Sequence, residues 1–376
     1  MTKNNDIGRD IAYARRIAGS ILCPRRLAYL ILFVTDRCNA RCRMCFSHEG
    51  MADKRISASY PLLSLKDMEK LLSQPELKYL AQFTLSGGEP FLREDIEDII
   101  NLYGRLHPDS RITIPTNGLM TGRIERIMGR IVPGNPGLQI GMPLTVLGVG
   151  RDHEEMTGVR GHFRRLRRTV QALQPLRRYG NFKVGAVTVL SRHNEGYMDE
   201  VMEFFHRSAS LFDTFNILLA RGDARDPEAT EVDPAVYVAS RRKLPDKGVH
   251  IRLLVRTLWR LVDHELEYGS MDIRCNAGKK LIVVSERGDV SPCELLYRFR
   301  DPYFGNLHDH DFALGELLNT QKARGILKFI ENRGCHCTFE CAILSSMTFT
   351  PGNYGSFMKT LWRDRRSVLF SGSALL

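Results

Sequence analysis

Residues 29–45 read YLILFVTDRCNARCRMC, an apolar run that ends in a loop carrying three cysteines, Cys38, Cys42 and Cys45. A run this short, rich in branched and aromatic side chains and without alternation, predicts a strand buried on both faces. Thiolates are soft ligands that select zinc, copper(I) or an iron–sulfur cluster. A structural zinc site closes with four protein ligands, and His48 could supply the fourth here. The triad, however, begins three residues after the strand, on the side where βα barrels assemble their active sites. A three-cysteine [4Fe–4S] cluster at that place would leave one iron open to a small molecule.

Outward from this strand the pattern repeats. The apolar runs AQFTL (81–85), RITIPT (111–116), GLQIGMPL (137–144), FKVGAVTVL (182–190) and TFNILLA (214–220) take turns with amphipathic helices. Ile96, Ile99, Ile100 and Tyr103 share one helix face, as do Met198, Val201, Met202 and Phe205. Ser64 reads as an N-cap with Asp67 at the third helical position. Strands alternating with helices predict a parallel sheet, and six such units fit a curved, partly closed barrel. The second run leads into SGGEP, residues 86–90. Its two glycines let backbone approach a ligand with no Cβ in the way, and Glu89 offers a carboxylate at the same mouth.

Beyond residue 270 the character changes. Residues 275–293 run CNAGKKLIVVSERGDVSPC, a cysteine, a strand, a turn at Gly288-Asp289 and a second cysteine. GCHCTFEC then adds Cys335, Cys337 and Cys341. Zinc is the competing occupant of this region also. His336 is expected beside the ligands rather than among them, and Cys23 stands alone as a small apolar residue.

Composition bounds the rest. A hydrophobic fraction of 43% and a charged fraction of 26% are those of a globular protein, and 376 residues suffice for one large domain and a smaller one. The longest apolar run, Leu27 to Val34, is too short to cross a membrane, and MTKNNDIGRD lacks the features of a secretory signal, so a cytoplasmic location is expected. The formal charge of +11 favours an acidic partner or substrate. In FRRLRRTV, from Phe163, the apolar residues Phe163, Leu166, Val170 and Leu173 recur at helical spacing and place the arginines on a solvated face.

With CNARCRMC on the first loop, SGGEP after the second strand and six strands in order, the chain resembles the radical S-adenosylmethionine enzymes over roughly residues 29–235. The resemblance implies that Cys38, Cys42 and Cys45 hold a [4Fe–4S] cluster whose open iron chelates S-adenosylmethionine. It implies further that Gly87, Gly88 and Glu89 hold the methionine ammonium, that Thr116 and Asn117 lie near the ribose, and that Met44 and Phe46 border the cofactor. Met44 stands where the family usually has an aromatic residue, Thr157 where it commonly has arginine, and MPLT where serine, leucine and aspartate are frequent. The C-terminal cysteines resemble the Twitch or SPASM extension. On that likeness Cys275, Cys293 and Cys341 bind a second cluster, with Cys335 and Cys337 competing for the fourth place.

The expected fold is α/β, a partial (β/α)6 TIM-like barrel with a small C-terminal iron–sulfur domain. Residues 1–28 form a basic helical preamble with Ile11, Ile17 and Ile21 on one face, and 29–235 form the barrel. Residues 236–345 hold a linker helix and the second cluster, and 346–376 form a tail. The leading function is hydrogen abstraction from a small molecule, with net oxidation through the second cluster and an electron donor such as flavodoxin or ferredoxin. The arginine surplus favours an anionic substrate. Arg221, Asp223 and Glu294 are the candidate catalytic residues, by position at the barrel mouth and beside a cluster ligand. Two other functions compete: a maturase acting on a ribosomally made peptide, and a zinc-bearing nucleic-acid binder. The latter lacks aromatic-basic interleaving and paired-histidine fingers, so nucleic acid is not an expected partner.

Overall fold

The computed structural model describes residues 2–48, 60–245, 249–355 and 358. One sheet of nine strands runs through it in the order β6-β5-β4-β3-β2-β1-β7-β8-β9 and does not close. The first six, β1 (Tyr29–Phe33), β2 (Gln82–Ser86), β3 (Arg111–Thr113), β4 (Gln139–Thr145), β5 (Phe182–Leu190) and β6 (Thr214–Leu219), are all parallel. This is the partial barrel expected.

The helices between the strands are α2 (Leu65–Leu72), α3 (Ile96–Leu106), α4 (Thr121–Gly134), α5 (Arg151–Thr157), α6 (His162–Leu173) and α7 (Met198–Arg207), preceded by α1 (Thr2–Leu22). The local chemistry explains their limits. Ser64 and Asp67 form the reciprocal capping box at the start of α2. On α6 the residues Phe163, Leu166, Val170 and Leu173 are buried while Arg164, Arg165, Arg167 and Arg168 are exposed. α1 turns Tyr13 and Ser20 inward with Ile17 packed beside Tyr13, while Ile11, expected on the same face, is exposed. The Arg111 guanidinium covers the Tyr13 ring at 3.9 Å, an aromatic anchor that outweighs aliphatic periodicity.

Strand burial also departs from expectation. Of the six barrel strands only β1 is buried at every position; β2 and β4 alternate, with Phe83, Leu85, Ile140, Met142 and Leu144 packed under the helices. Their other faces, Gln82, Thr84, Ser86, Gly141, Pro143 and Thr145, are half-buried and small or polar. They line the inside of the open barrel, so β2 and β4 keep that face free of apolar packing.

After α8 (Pro234–Arg242) and α9 (Val249–Tyr268), β7 (Leu281–Val284) adds in parallel to the free edge of β1, and β8 (Asp289–Ser291) and β9 (Gly305–Asn306) follow antiparallel. The C-terminal region therefore extends the barrel sheet. α10 (Leu314–Leu318), α11 (Gln321–Glu331) and α12 (Glu340–Phe349) complete it. The expected tail from residue 346 begins inside α12, whose Met347 and Phe349 are buried; residues 359–376 lie outside the described residues. Among the described residues, no helix is long and apolar enough to cross a membrane.

Candidate active site

In the β1–β2 register Phe33 stands opposite Ser86, so the Cys38 loop and the SGGEP loop leave the same mouth. Gly88 N–H donates to Thr35 O (2.7 Å) and Glu89 N–H to Arg37 O (2.8 Å). A Cβ on Gly87 would meet Thr35 O at 2.6 Å, and one on Gly88 would meet Arg37 O at 2.1 Å. The two glycines thus serve contact between loop backbones. They press the second loop onto the residues just before Cys38.

Three further backbone bonds fix the cysteine loop: Arg41 N–H to Thr157 O (2.8 Å), Asp226 N–H to Arg43 O (2.9 Å) and Arg225 N–H to Cys45 O (3.0 Å). Met44 is buried with Leu147, Met156, Ala220 and Ala224. It anchors the loop from beneath. Thr157, where arginine is frequent in similar chains, is buried and donates its hydroxyl to His153 O (2.9 Å), closing the end of α5.

Glu89 is 1% exposed. Its Oε1 accepts from Thr116 Oγ1 (2.8 Å) and Phe91 N–H (3.2 Å), and its Oε2 from Asn117 N–H (2.8 Å). Burial pushes its pKa up to about 7, against the pull of these donors. The Asn117 side chain reaches Asn39 Oδ1 (2.7 Å), while its carbonyl accepts from His162 Nε2 (2.7 Å). Glu89, Thr116 and Asn117 thus come together beside Cys38, and His162 holds the Asn117 peptide from behind. No sequence signal marked His162.

The cysteines form two sets. At the barrel mouth, burial raises the Cys38 thiol and pushes Cys42 up to about 12, with the neighbouring thiols adding to both. In the second set Cys275, Cys293, Cys337 and Cys341 pack on one apolar cluster with Tyr29, Ile31, Phe33, Leu281 and Phe339, the inner face of β1 and β7. Cys335 is less deeply buried than Cys337 and packs with Cys275 and Cys293 on the main core, away from Cys341. Burial pushes Cys335 and Cys337 up to about 12 and Cys341 to about 11. Asn276 clamps Cys275 to α12 through Ser345 and Ser346. His336 Nδ1 lies 2.6 Å from Glu265 Oε1, turned to a carboxylate as a flanking residue would be. Among the described residues no three His, Cys, Asp or Glu side chains converge on a single ion.

Arg221 and Glu294 lie between the two sets, and Glu340 joins them. Arg221 Nη2 reaches Glu294 Oε2 at 3.1 Å, and its Nη1 reaches Glu340 Oε2 at 3.2 Å. Its guanidinium stands 4.6 Å from the Phe339 ring and 5.6 Å from the Phe46 ring. Burial raises both carboxyl pKa values while Arg221 opposes it; burial also works against the Arg221 charge, but the two carboxylates outweigh it. Glu340 was not foreseen. Its signal was an acid directly before Cys341, matching Glu294 directly after Cys293. Asp223 is exposed beside Tyr297, outside this cluster.

The donor set fits iron–sulfur chemistry: soft thiols in two groups, and at the first a buried carboxylate with no cation among its hydrogen-bond partners, fit to receive an ammonium. Residues 32–205 match the Radical SAM superfamily, and residues 275–342 match SPASM, an iron-sulfur cluster-binding domain. The GTP 3',8-cyclase of Peptoclostridium acidaminophilum is 29% identical over 102 residues, which are 27% of this chain and 30% of that protein. The chain therefore spans under a third of the length of such curated relatives. Histidine-tagged anSMEcpe with bound AdoMet superposes with a TM-score of 0.58 at 16% identity, covering 90% of this chain and 96% of that one. Streptococcus suis SuiB superposes at 0.56 and 18% identity, covering 81% and 68%. At such identities the likeness is one of fold.

Proposed function

Because the chain belongs to the radical S-adenosylmethionine superfamily and carries a SPASM-type iron–sulfur domain, we propose that it abstracts hydrogen from a small-molecule substrate and completes a net oxidation. Its cofactors are [4Fe–4S] clusters and S-adenosylmethionine. When bound, these supply reductive cleavage to a hydrogen-abstracting 5′-deoxyadenosyl radical and, at the second cluster, a sink for the substrate's remaining electron.

The observation that carries the reading is the shared mouth of the β1 and β2 loops, with the second cysteine set on the inner face of β1. Cys38, Cys42 and Cys45 would hold the first cluster, whose chemistry with the cosubstrate needs one iron without a thiolate. Glu89 takes the methionine ammonium. Thr116 and Asn117 fix the carboxylate's direction and border the ribose, and Phe46 closes the side toward Arg221. The second cluster takes Cys275, Cys293, Cys337 and Cys341, the four that share one apolar wall. An acidic one-electron carrier such as flavodoxin suits the basic chain as donor.

The test is anaerobic. Reconstituted protein with S-adenosylmethionine and dithionite should form 5′-deoxyadenosine, and the Cys38→Ala, Cys42→Ala, Cys45→Ala triple variant should not, while retaining the iron of the C-terminal domain. Undiminished cleavage in that variant would sink the assignment. Incubation with a metabolite extract should yield a product lighter than its precursor by a hydrogen pair; a product of unchanged mass would remove the oxidation from the proposal.

A further inference from the structure

The loop after β3 is held from outside by α6 at two points. His162 Nε2 stands 2.7 Å from Asn117 O, and Thr169, further along the same helix face, donates its hydroxyl to Gly118 O (2.6 Å). A carbonyl only accepts, so Nε2 carries the ring proton. The loop turns back at Gly118, whose φ of +74° suits glycine, and a Cβ there would stand 2.9 Å from Leu166 Cδ1 of α6. The position of the loop therefore depends on that helix. His162 is itself fixed: it is 1% exposed, its Nδ1 lies 2.9 Å from Thr157 Oγ1, and the His153 ring packs on it at 4.4 Å between centroids, 72° to its plane.

Asn117 is where the held loop meets the first site. Its N–H donates to Glu89 Oε2 (2.8 Å), its Nδ2 donates to Asn39 Oδ1 (2.7 Å), and its Oδ1 accepts from Leu119 N–H (2.9 Å). The carbonyl is its remaining polar group, and His162 takes it. Thr157, on the other side of the imidazole, accepts Arg41 N–H of the cysteine loop at its own carbonyl (2.8 Å). The turn from α5 to α6 thus grips two loops of the site, the cysteine loop by the last residue of α5 and the Asn117 loop by the first residue of α6. Resting on the radical S-adenosylmethionine reading above, we propose that His162 is a positioning residue for S-adenosylmethionine. It holds Asn117 in the orientation whose N–H directs the Glu89 carboxylate toward the methionine ammonium and whose side chain borders the ribose. Without that bond Asn117 keeps Glu89 and Asn39 as partners, but the carbonyl that fixes its direction is free and the loop can rotate about Gly118. The cosubstrate then binds less tightly while the cysteine loop keeps its own backbone bonds.

Two substitutions separate the two ring nitrogens. The amide of glutamine reaches about as far as Nε2 and can donate to Asn117 O, whereas that of asparagine reaches only about as far as Nδ1, which leaves Thr157 a partner and Asn117 O none. His162→Gln and His162→Asn are reconstituted and their iron is measured. Their affinity for S-adenosylmethionine is then taken by equilibrium dialysis with no reductant present, so that binding is read without cleavage. His162→Asn should bind about tenfold more weakly than the unaltered protein, the effect of about one buried hydrogen bond, and His162→Gln should recover to within about threefold. Thr169→Val, which frees Gly118 O and leaves Asn117 O held, should also stay within about threefold. With reductant and saturating S-adenosylmethionine, His162→Asn should form 5′-deoxyadenosine at the unaltered rate, because the loss falls equally on ground state and transition state. Unchanged affinity in His162→Asn, or His162→Gln as weak as His162→Asn, would overturn the proposal. Thr169→Val as weak as His162→Asn would reduce the effect to a general loosening of the loop, and loss of the first cluster's iron from both His162 variants would make His162 a strut of the fold; either would overturn it too. Failure of the underlying reading has a separate mark: the unaltered protein, replete with iron, would bind no S-adenosylmethionine at all.

Discussion

At the scale of single residues, burial decides which of several similar side chains can serve the chemistry. Glu89 is held by three donors and would be a plain structural strut, except that no cation balances it. The same reasoning separates Cys335 from Cys337. Both are within reach of Cys275, but only Cys337 shares the apolar wall of Cys275, Cys293 and Cys341. A cluster held by four thiolates loses its assembly when one ligand becomes serine on a buried wall, whereas a rim thiol is dispensable. Iron analysis of reconstituted Cys337→Ser should therefore fall from about eight irons to about four, and Cys335→Ser should stay near eight. The opposite pattern would move the fourth ligand to Cys335.

At the scale of elements, the site depends on loops that touch by their backbones. Adding a methyl at Gly88 places carbon 2.1 Å from Arg37 O and displaces the Glu89 N–H bond to that same carbonyl. Neither strand can yield, since β1 is fully buried between β2 and β7. Gly88→Ala should lower stability by roughly 1–3 kcal/mol, the usual cost of overpacking, and should lose the first cluster's iron while the second remains. A variant with both clusters and an unchanged melting temperature would show that the loops can part. This contact is also where sequence reading reached its limit. The β1 run, the cysteine spacing and SGGEP were legible because each is a local pattern. That the glycines face Thr35 and Arg37 depends on strand register, which no local pattern carries. The same holds for Met44, whose burial under the loop comes from Leu147 and Met156 far along the chain, and for Glu340, which meets Arg221 only through the extension of the sheet.

At the scale of the whole molecule, the parts are joined by buried polar groups, and one of them makes stability depend on pH. Lys280, ahead of β7, donates to the carbonyls of Ser20, Cys23 and Arg26, tying the end of α1 to the C-terminal extension. His107 joins three helices: it caps α3, its Nε2 donates to Leu72 O at the end of α2 (3.0 Å), and its Nδ1 faces Arg16 Nη1 of α1 (3.5 Å). Nδ1 must remain unprotonated to accept from Arg16. Burial, with Arg16 adding to it, pushes the His107 pKa down to about 4. The unfolded chain takes up a proton near the ordinary histidine value of about 6.5, and the folded chain does not until about pH 4. Between those limits the unfolded state binds more protons, so stability falls as the pH falls, by about 1.4 kcal/mol per pH unit from this group alone. His107→Gln keeps a donor for Leu72 and cannot titrate. Urea unfolding should then show the variant less stable than the unaltered protein at pH 7.5, with that gap narrowing by roughly 2 kcal/mol between pH 6.5 and pH 5. A gap that stays constant over that range would mean that His107 is protonated in the folded protein, and that the junction of α1, α2 and α3 is held by the surrounding apolar packing without it.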